Sequence, residues 1–320
     1  MHSAVNGPFE DPAVFVRILR EKRALLLDAG DISVLKPGDI QKITDILITH
    51  THIDHFIGFD TLIRALLRRT IPLRVYGPSN ITDCVEGKLQ GYTWNLITDY
   101  PLIIDVFSIN VNTVRRSRFS ARNRFQREDK NIYNTDGLLF RDPLFTIKAL
   151  QLDHQIPCLA YSIEEEFHIN INKALLHEMA LPVGPWLASL KKAIREQLPG
   201  ETEFIIADRR HRLHELRAIA TITKGQKISY VTDVSITDDN IRRIVEFVRD
   251  SDTFYCEAYF LDKDIDRARE RFHLTAKLTG SIARQAGVTR LVAMHFSPRY
   301  RNLAENPEHE AMREFMHSPC

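Results

Sequence analysis

Cysteine is scarce in this chain. Its four residues lie far apart, at 84, 158, 256 and 320. There is no Cys-x-x-Cys pair, so neither a disulfide framework nor a thiolate metal site is indicated, and a reducing cytosol fits best. Long apolar runs are also missing, and none approaches the ~18 residues that a membrane-spanning helix needs. The opening Met1-His2-Ser3-Ala4 has no basic-then-apolar signal segment, so a cytoplasmic location is expected. Excess charge of either sign is absent. With 43 Lys and Arg against 42 Asp and Glu, the net charge is +1, so any nucleic-acid-binding surface has to be local. No low-complexity linker interrupts the 320 residues, and a single domain spanning 1–320 is expected.

Apolar content of 44% and charged content of 27% are those of an ordinary globular protein with a sizeable core. The unusual stretch is Thr49-His50-Thr51-His52-Ile53-Asp54-His55. It places four metal-ligand side chains within six residues, His50 to His55. Before it, Asp45 to Thr49 reads as a buried strand; after it, Phe56, Phe59, Leu62, Ile63, Leu66 and Leu67 recur at helical spacing. In an extended segment, side chains two apart share a face, so His50 and His52 can grip one ion together. Asp54 and His55 follow as the chain turns and can face a second.

Strand and helix alternate along the rest. Strands are expected over 14–19, 24–27, 73–76, 102–109, 144–152, 159–163, 253–256 and 290–294. Gly77-Pro78 is expected to stop the strand before it. Lys224-Gly225-Gln226 suggests a hairpin joining strands 219–223 and 227–231. Helices are expected over 58–69, 81–89, 236–248, 273–286 (ended by Gly287) and 306–318. Residues 171–198 read as a projecting helical pair broken between Pro182 and Pro185. Arg115, Arg116, Arg118, Arg122, Arg124 and Arg127 interleave with Phe119 and Phe125. That run could hold a phosphate backbone and stack bases, or it could be an exposed hairpin with solvated arginines. The alternation suggests an α/β fold of two similar halves, each bringing a sheet and helices to a shared site.

Two metal ions need about eight to twelve contacts, so more ligands are required past other strand ends. His154, Asp233 and His295 each occupy such a position. The chain resembles the metallo-β-lactamase superfamily, most closely its ribonuclease Z branch, the tRNA 3′-processing endonucleases. The matching stretches are the His50 to His55 loop, Leu152 to Pro157, Tyr230 to Asp233, Cys256-Glu257-Ala258, His273 to Ala276, and His295 to Tyr300. Gly184-Pro185 resembles part of that branch's tRNA-binding arm. Departures are Cys256 where the family has His, Thr232 where it has Gly, and Ala188 where Gly is frequent.

The resemblance implies a four-layer αββα sandwich with a projecting arm inserted at about 168–200. It implies that His50, His52 and His154 hold one ion, Asp54, His55 and His295 a second, and that Asp233 bridges them. Zinc suits such ligands, and manganese is an alternative. Two cations ~4 Å apart would activate a shared water and neutralise transition-state charge. Asp54 would orient or deprotonate that water. His273 would protonate the leaving 3′-oxygen, with Glu257 fixing its tautomer. The bland reading of His273 is an exposed helix-start residue. Ser297 and Arg299 would contact phosphate, and for Arg299 an ordinary surface ion pair is the alternative. A homodimer is implied, the arm of one subunit clamping RNA at the other's site.

Function is therefore expected to be metal-dependent endonucleolytic removal of 3′ trailers from tRNA precursors. A same-fold hydrolase of a small or cyclic phosphodiester is the alternative, and a lactone or thioester fits less well. A non-enzymatic, metal-stabilised RNA-binding scaffold is a third reading, against which the intact ligand set argues.

Overall fold

A computed structural model describes residues 1–18 and 21–317. Leu19 and Ser318, the expected ends of one strand and one helix, lie outside them. Two compact units form. The larger comprises 1–139, 148–162 and 228–320; the smaller comprises 140–147 and 163–227.

The larger unit carries an eight-stranded sheet whose strands, from His2–Ala4 to Arg127–Asn134, lie side by side in chain order. A second sheet runs Leu291–Met294, Thr253–Glu257, Lys227–Val231, Pro157–Glu165, Phe145–Asp153, Leu138–Arg141. On the first sheet, Leu26, Ile46, Val75, Ile104 and Val106 pack under helices Phe59–Leu66 and Ile81–Gln90. On the second, Val231, Phe254, Cys256 and Ala293 pack under Asp238–Phe247 and Ala276–Gln285. Strand side chains alternate in direction, so Leu25, Leu27 and Leu47, equally buried, turn away from their helices. The sheets are tied directly: the Tyr161 hydroxyl donates to the Ile48 carbonyl at 2.7 Å, and that of Tyr230 to Asp28 at 2.8 Å. The order helix, sheet, sheet, helix is the expected four-layer sandwich. No helix among the described residues is long and apolar enough to cross a membrane.

The smaller unit has its own core of Ile169, Leu176, Leu190, Ile194, Leu213 and Leu216. The expected helix pair is there, as Lys173–Glu178 and Trp186–Arg195. Asn172 caps the first, its side chain accepting from the amides of Ala174 and Leu175. The expected arm, 168–200, falls inside this unit, which also includes two antiparallel strand pairs.

Four expectations are corrected. The strand at 73–76 runs through Gly77 to Pro78. Beyond Tyr76 only strand Ile103–Asn110 flanks it, and a proline without an N–H is tolerated at such a free edge. The 219–231 hairpin does not form. Ala220–Lys224 pairs with Phe167–Ile171, while Lys227–Val231 runs parallel to Thr253–Glu257. Gly225 serves a close approach instead, because a Cβ there would lie 1.9 Å from the Glu165 carbonyl oxygen. The helix expected from His273 starts at Ala276, with the Thr275 side chain capping the Leu278 amide, so His273 stands ahead of it.

The fourth concerns residues 115–127. Phe119 and Phe125 are buried in the core and cannot stack bases. Arg116 and Arg118 both fork onto Asp105, and Arg127 pairs with Asp83, Glu86 and Asp129. Strand alternation sends Phe119 inward, the turn after the strand buries Phe125, and Arg116, Arg118 and Arg127 meet acids of neighbouring strands and a neighbouring helix.

Candidate metal centre

Site side chains come from chain segments just past strand ends. Strand Ile43–Leu47 delivers Thr49 to His52, and His52 opens a one-turn helix, Ile53–Phe56, that carries Asp54 and His55. Asp28, Asp233 and His295 each follow a strand with φ between 52° and 55°, the left-handed region. Asp and His enter this region more readily than most residues, and the cost persists only where surrounding bonds fix it.

His50 Nε2 and His52 Nδ1 lie 2.9 Å apart, as the shared-face argument requires. Asp233 stands between two groups of nitrogens. Its Oδ2 is 3.5 Å from His50 Nε2 and 3.6 Å from His154 Nε2. Its Oδ1 is 3.5 Å from His55 Nε2 and 2.9 Å from His295 Nδ1. Asp54 Oδ2 closes the second group, 3.4 Å from His55 Nε2 and 3.3 Å from His295 Nε2. Among the described residues, three sets therefore have ligand atoms close enough to share an ion: His50, His52, His154 and Asp233; Asp54, His55 and His295; and Asp233, Glu257, His273 and His295.

One atom tests whether a cation fits. His55 Nε2 is fully buried and makes no hydrogen bond, although two carboxylate oxygens lie within 3.5 Å. A buried polar atom without a partner is costly, and a cation between it and those carboxylates would satisfy all three. The donors are imidazoles and carboxylates without thiolate, which suits a divalent cation.

The outer contacts orient these rings. His154 Nδ1 bonds the Phe272 carbonyl at 2.8 Å, turning Nε2 inward. His55 Nδ1 bonds Asp28 at 2.9 Å. Asp28 also accepts from the Thr49 amide at 2.7 Å and the Thr49 hydroxyl at 2.9 Å, besides the Tyr230 hydroxyl. Asp28 directly follows the strand expected over 24–27, and the sequence motifs give it no role. Its signal was an acidic residue directly after an all-apolar strand, a buried position that a carboxylate occupies only when it is bonded.

Electrostatics follow the packing. Burial pushes the His50 imidazole down to about 2, and His52 is lowered for the same first reason. Burial opposes charge on His295 as well, but Asp233 outweighs it and holds the imidazole up near 10. His55 is raised against its burial by Asp233 and Asp28. Asp54 and Asp233 are held low despite burial, Asp54 by the bond from His295 and the charge of His55, Asp233 by the charges of the same two residues.

His273 Nδ1 is 2.7 Å from Glu257 Oε2, and the other Glu257 oxygen accepts the Val234 amide at 2.8 Å. Glu257 is fully buried, and His273 Nδ1 lies 4.0 Å from Asp233 Oδ1. Ser297 is buried, its amide donating to the Tyr259 carbonyl at 3.0 Å. Arg299 pairs with Asp264 at 3.6 Å, the ion pair that the sequence left as one alternative.

No family model matches the chain. A ribonuclease Z of Deinococcus radiodurans is 30% identical over 309 residues, covering 94% of this chain and 91% of that protein. A ribonuclease Z of Nanoarchaeum equitans is 29% identical over 288 residues, covering 87% of this chain and 76% of that one. Among solved structures, the short form of human tRNase Z superposes with a TM-score of 0.54 at 21% identity over 93% of each chain. YhfI of Bacillus subtilis, a metallo-β-lactamase fold protein, gives 0.55 at 17% identity, over 98% of this chain and 92% of that one. With this fold, these strand-end ligands and that degree of identity over nearly its whole length, the chain belongs to the ribonuclease Z family.

Proposed function

We propose that this chain is a two-metal endoribonuclease that removes 3′ trailers from tRNA precursors. The observation that carries the reading is Asp233, whose two carboxylate oxygens each face a separate group of imidazoles. His50, His52, His154 and Asp233 hold one ion; Asp54, His55, His295 and Asp233 hold the second. Zinc is the proposed metal and manganese the alternative. Such ions activate water and neutralise charge on the scissile phosphate. Asp54, the more exposed carboxylate, orients the attacking water and receives its proton. His273 protonates the leaving 3′-oxygen through Nε2, because Glu257 holds Nδ1 as the hydrogen-bonded edge. Ser297 and Arg299 contact the phosphate, and Arg299, with 37% of its side chain exposed, turns from Asp264 to do so.

An RNA substrate is supported by the relatives' shared name, ribonuclease Z. In the smaller unit, hairpin Glu203–Ile206 and Arg209–Arg212 exposes Arg209, and holds Arg210 and Arg212 in exposed ion pairs with Glu203 and Glu201, from which RNA phosphates would draw them. The proposal includes a single functional domain with residues 168–200 as its arm, a homodimer in which that arm holds RNA at the partner's site, and a cytoplasmic location.

Cleavage of a 3′-extended tRNA precursor with added zinc or manganese tests the reading, comparing intact protein with Asp233→Ala. Cutting beside the acceptor stem by the intact protein alone is the expected result. Intact protein that ignores the precursor but hydrolyses a small phosphodiester, dependent on Asp233, replaces this reading with the small-substrate one.

A further inference from the structure

We propose that Tyr259 is a positioning residue for His273, setting the plane of the imidazole that delivers the proton to the leaving group. The inference rests on the reading of His273 as the general acid. Tyr259 sits two residues past Glu257, where strand Thr253–Glu257 has ended. Its ring lies parallel to the His273 imidazole, with centroids 4.0 Å apart and planes 10° apart. The same ring meets the His295 imidazole edge-on at 5.1 Å and 68°. Its carbonyl accepts the Ser297 amide at 3.0 Å.

These contacts perform a task that Glu257 cannot. The 2.7 Å bond from His273 Nδ1 to Glu257 fixes one point on the ring. A ring held at one nitrogen can still swing about that bond, carrying Nε2 out of line. A flat surface against its face removes the swing. Tyr259 is itself held along the backbone by the Ser297 amide. The next residue, Phe260, is laced to the His273 segment: its amide donates to the Leu274 carbonyl, and its carbonyl accepts the Ala276 amide at 2.7 Å. Acid and support therefore move as one unit. Proton transfer depends steeply on placement, and a misplacement of about 1 Å costs roughly 100-fold.

Four proteins are compared: wild type, Tyr259→Ala, Tyr259→Phe and His273→Ala. Each is assayed on a 3′-extended tRNA precursor and on bis(p-nitrophenyl) phosphate, whose nitrophenolate departs without a proton. Tyr259→Ala is expected to lower kcat on the precursor about 10–100-fold with KM changed less than about 3-fold, approaching His273→Ala. On the nitrophenyl ester the loss from Tyr259→Ala should be at least about 10-fold smaller than on the precursor, since that leaving group needs no proton. Tyr259→Phe keeps the flat ring and should restore precursor cleavage.

An equal loss on both substrates overturns the proposal, because the damage then lies in the metal site or the fold. Undiminished precursor cleavage by Tyr259→Ala overturns it too. A Tyr259→Phe defect as large as that of Tyr259→Ala assigns the effect to the hydroxyl and also overturns it. Wild type and His273→Ala that cleave the precursor equally well reject His273 as the acid, a separate failure that the reference variant makes visible.

Discussion

Replacing Asp28 by asparagine keeps the side chain's shape, turns one acceptor oxygen into a donor and removes the charge beside His55. Asp28 is fully buried and accepts from the Thr49 amide, the Thr49 and Tyr230 hydroxyls and His55 Nδ1, all between 2.7 and 2.9 Å. An asparagine amide nitrogen in the place of Oδ1 would face the Thr49 amide, a donor that cannot turn away. In the place of Oδ2 it would face His55 Nδ1–H. Hydroxyls can rotate, but His55 can respond only by moving its proton to Nε2. That proton would occupy the lone pair aimed at Asp54 and Asp233, where a cation has to bind. Losing such an outer partner typically costs 10–100-fold in metal affinity, about 1.4–2.8 kcal/mol. If the protein instead leaves a buried donor unpaired, stability falls by roughly 1–3 kcal/mol. Competition with a chromophoric chelator and thermal melting of the chelated protein separate the two. Asp28→Asn with wild-type affinity for both ions and an unchanged melting temperature would refute the reasoning.

Three further outcomes are expected. Metal uptake should release protons: without metal, burial opposes charge on His295 and His55 but Asp233 prevails, holding His295 near 10, so near pH 7.5 both ligands give up a proton and affinity rises with pH until that value. Calorimetric titration in two buffers of different ionisation enthalpy measures the release, and a value of zero contradicts it. Arg116→Ala with Arg118→Ala should strand the nearly buried Asp105 carboxylate and lower stability by about 1–3 kcal/mol, leaving precursor cleavage below the unfolding midpoint unchanged. A urea titration and a cleavage assay on the same sample check both halves. Gly58→Ala should destabilise by about 1–3 kcal/mol and weaken metal binding, since its Cβ would lie 2.1 Å from the Gly30 carbonyl oxygen beside the ligand loop; an unchanged urea midpoint is the contrary result.

Local patterns told the sequence reader much about this protein. Periodicity marks which segments are strands and helices, because each element's buried face is written into its own residues. The proposed metal-binding loop is equally visible, since His50, His52, Asp54 and His55 lie within six residues. Single ligands at strand ends, His154, Asp233 and His295, became legible as a set through resemblance. Long-range contacts were beyond that reading. Whether Ala220–Lys224 joins Lys227–Val231 or Phe167–Ile171 depends on which edge lies free nearby, and a turn-like Lys-Gly-Gln cannot report that. Phe119 and Phe125 read alike for stacking or for the core until the pleat, for the first, and the turn after the strand, for the second, bury them. The bond of Asp28 to His55 spans 27 positions, and the face of Tyr259 meets His273 across a strand-to-helix loop. Local patterns specify most of the elements and the side-chain types gathered at the candidate centre. Tertiary structure decided which nitrogen of each imidazole points inward, because a ring's orientation is set by neighbours brought together only when the sheets pack.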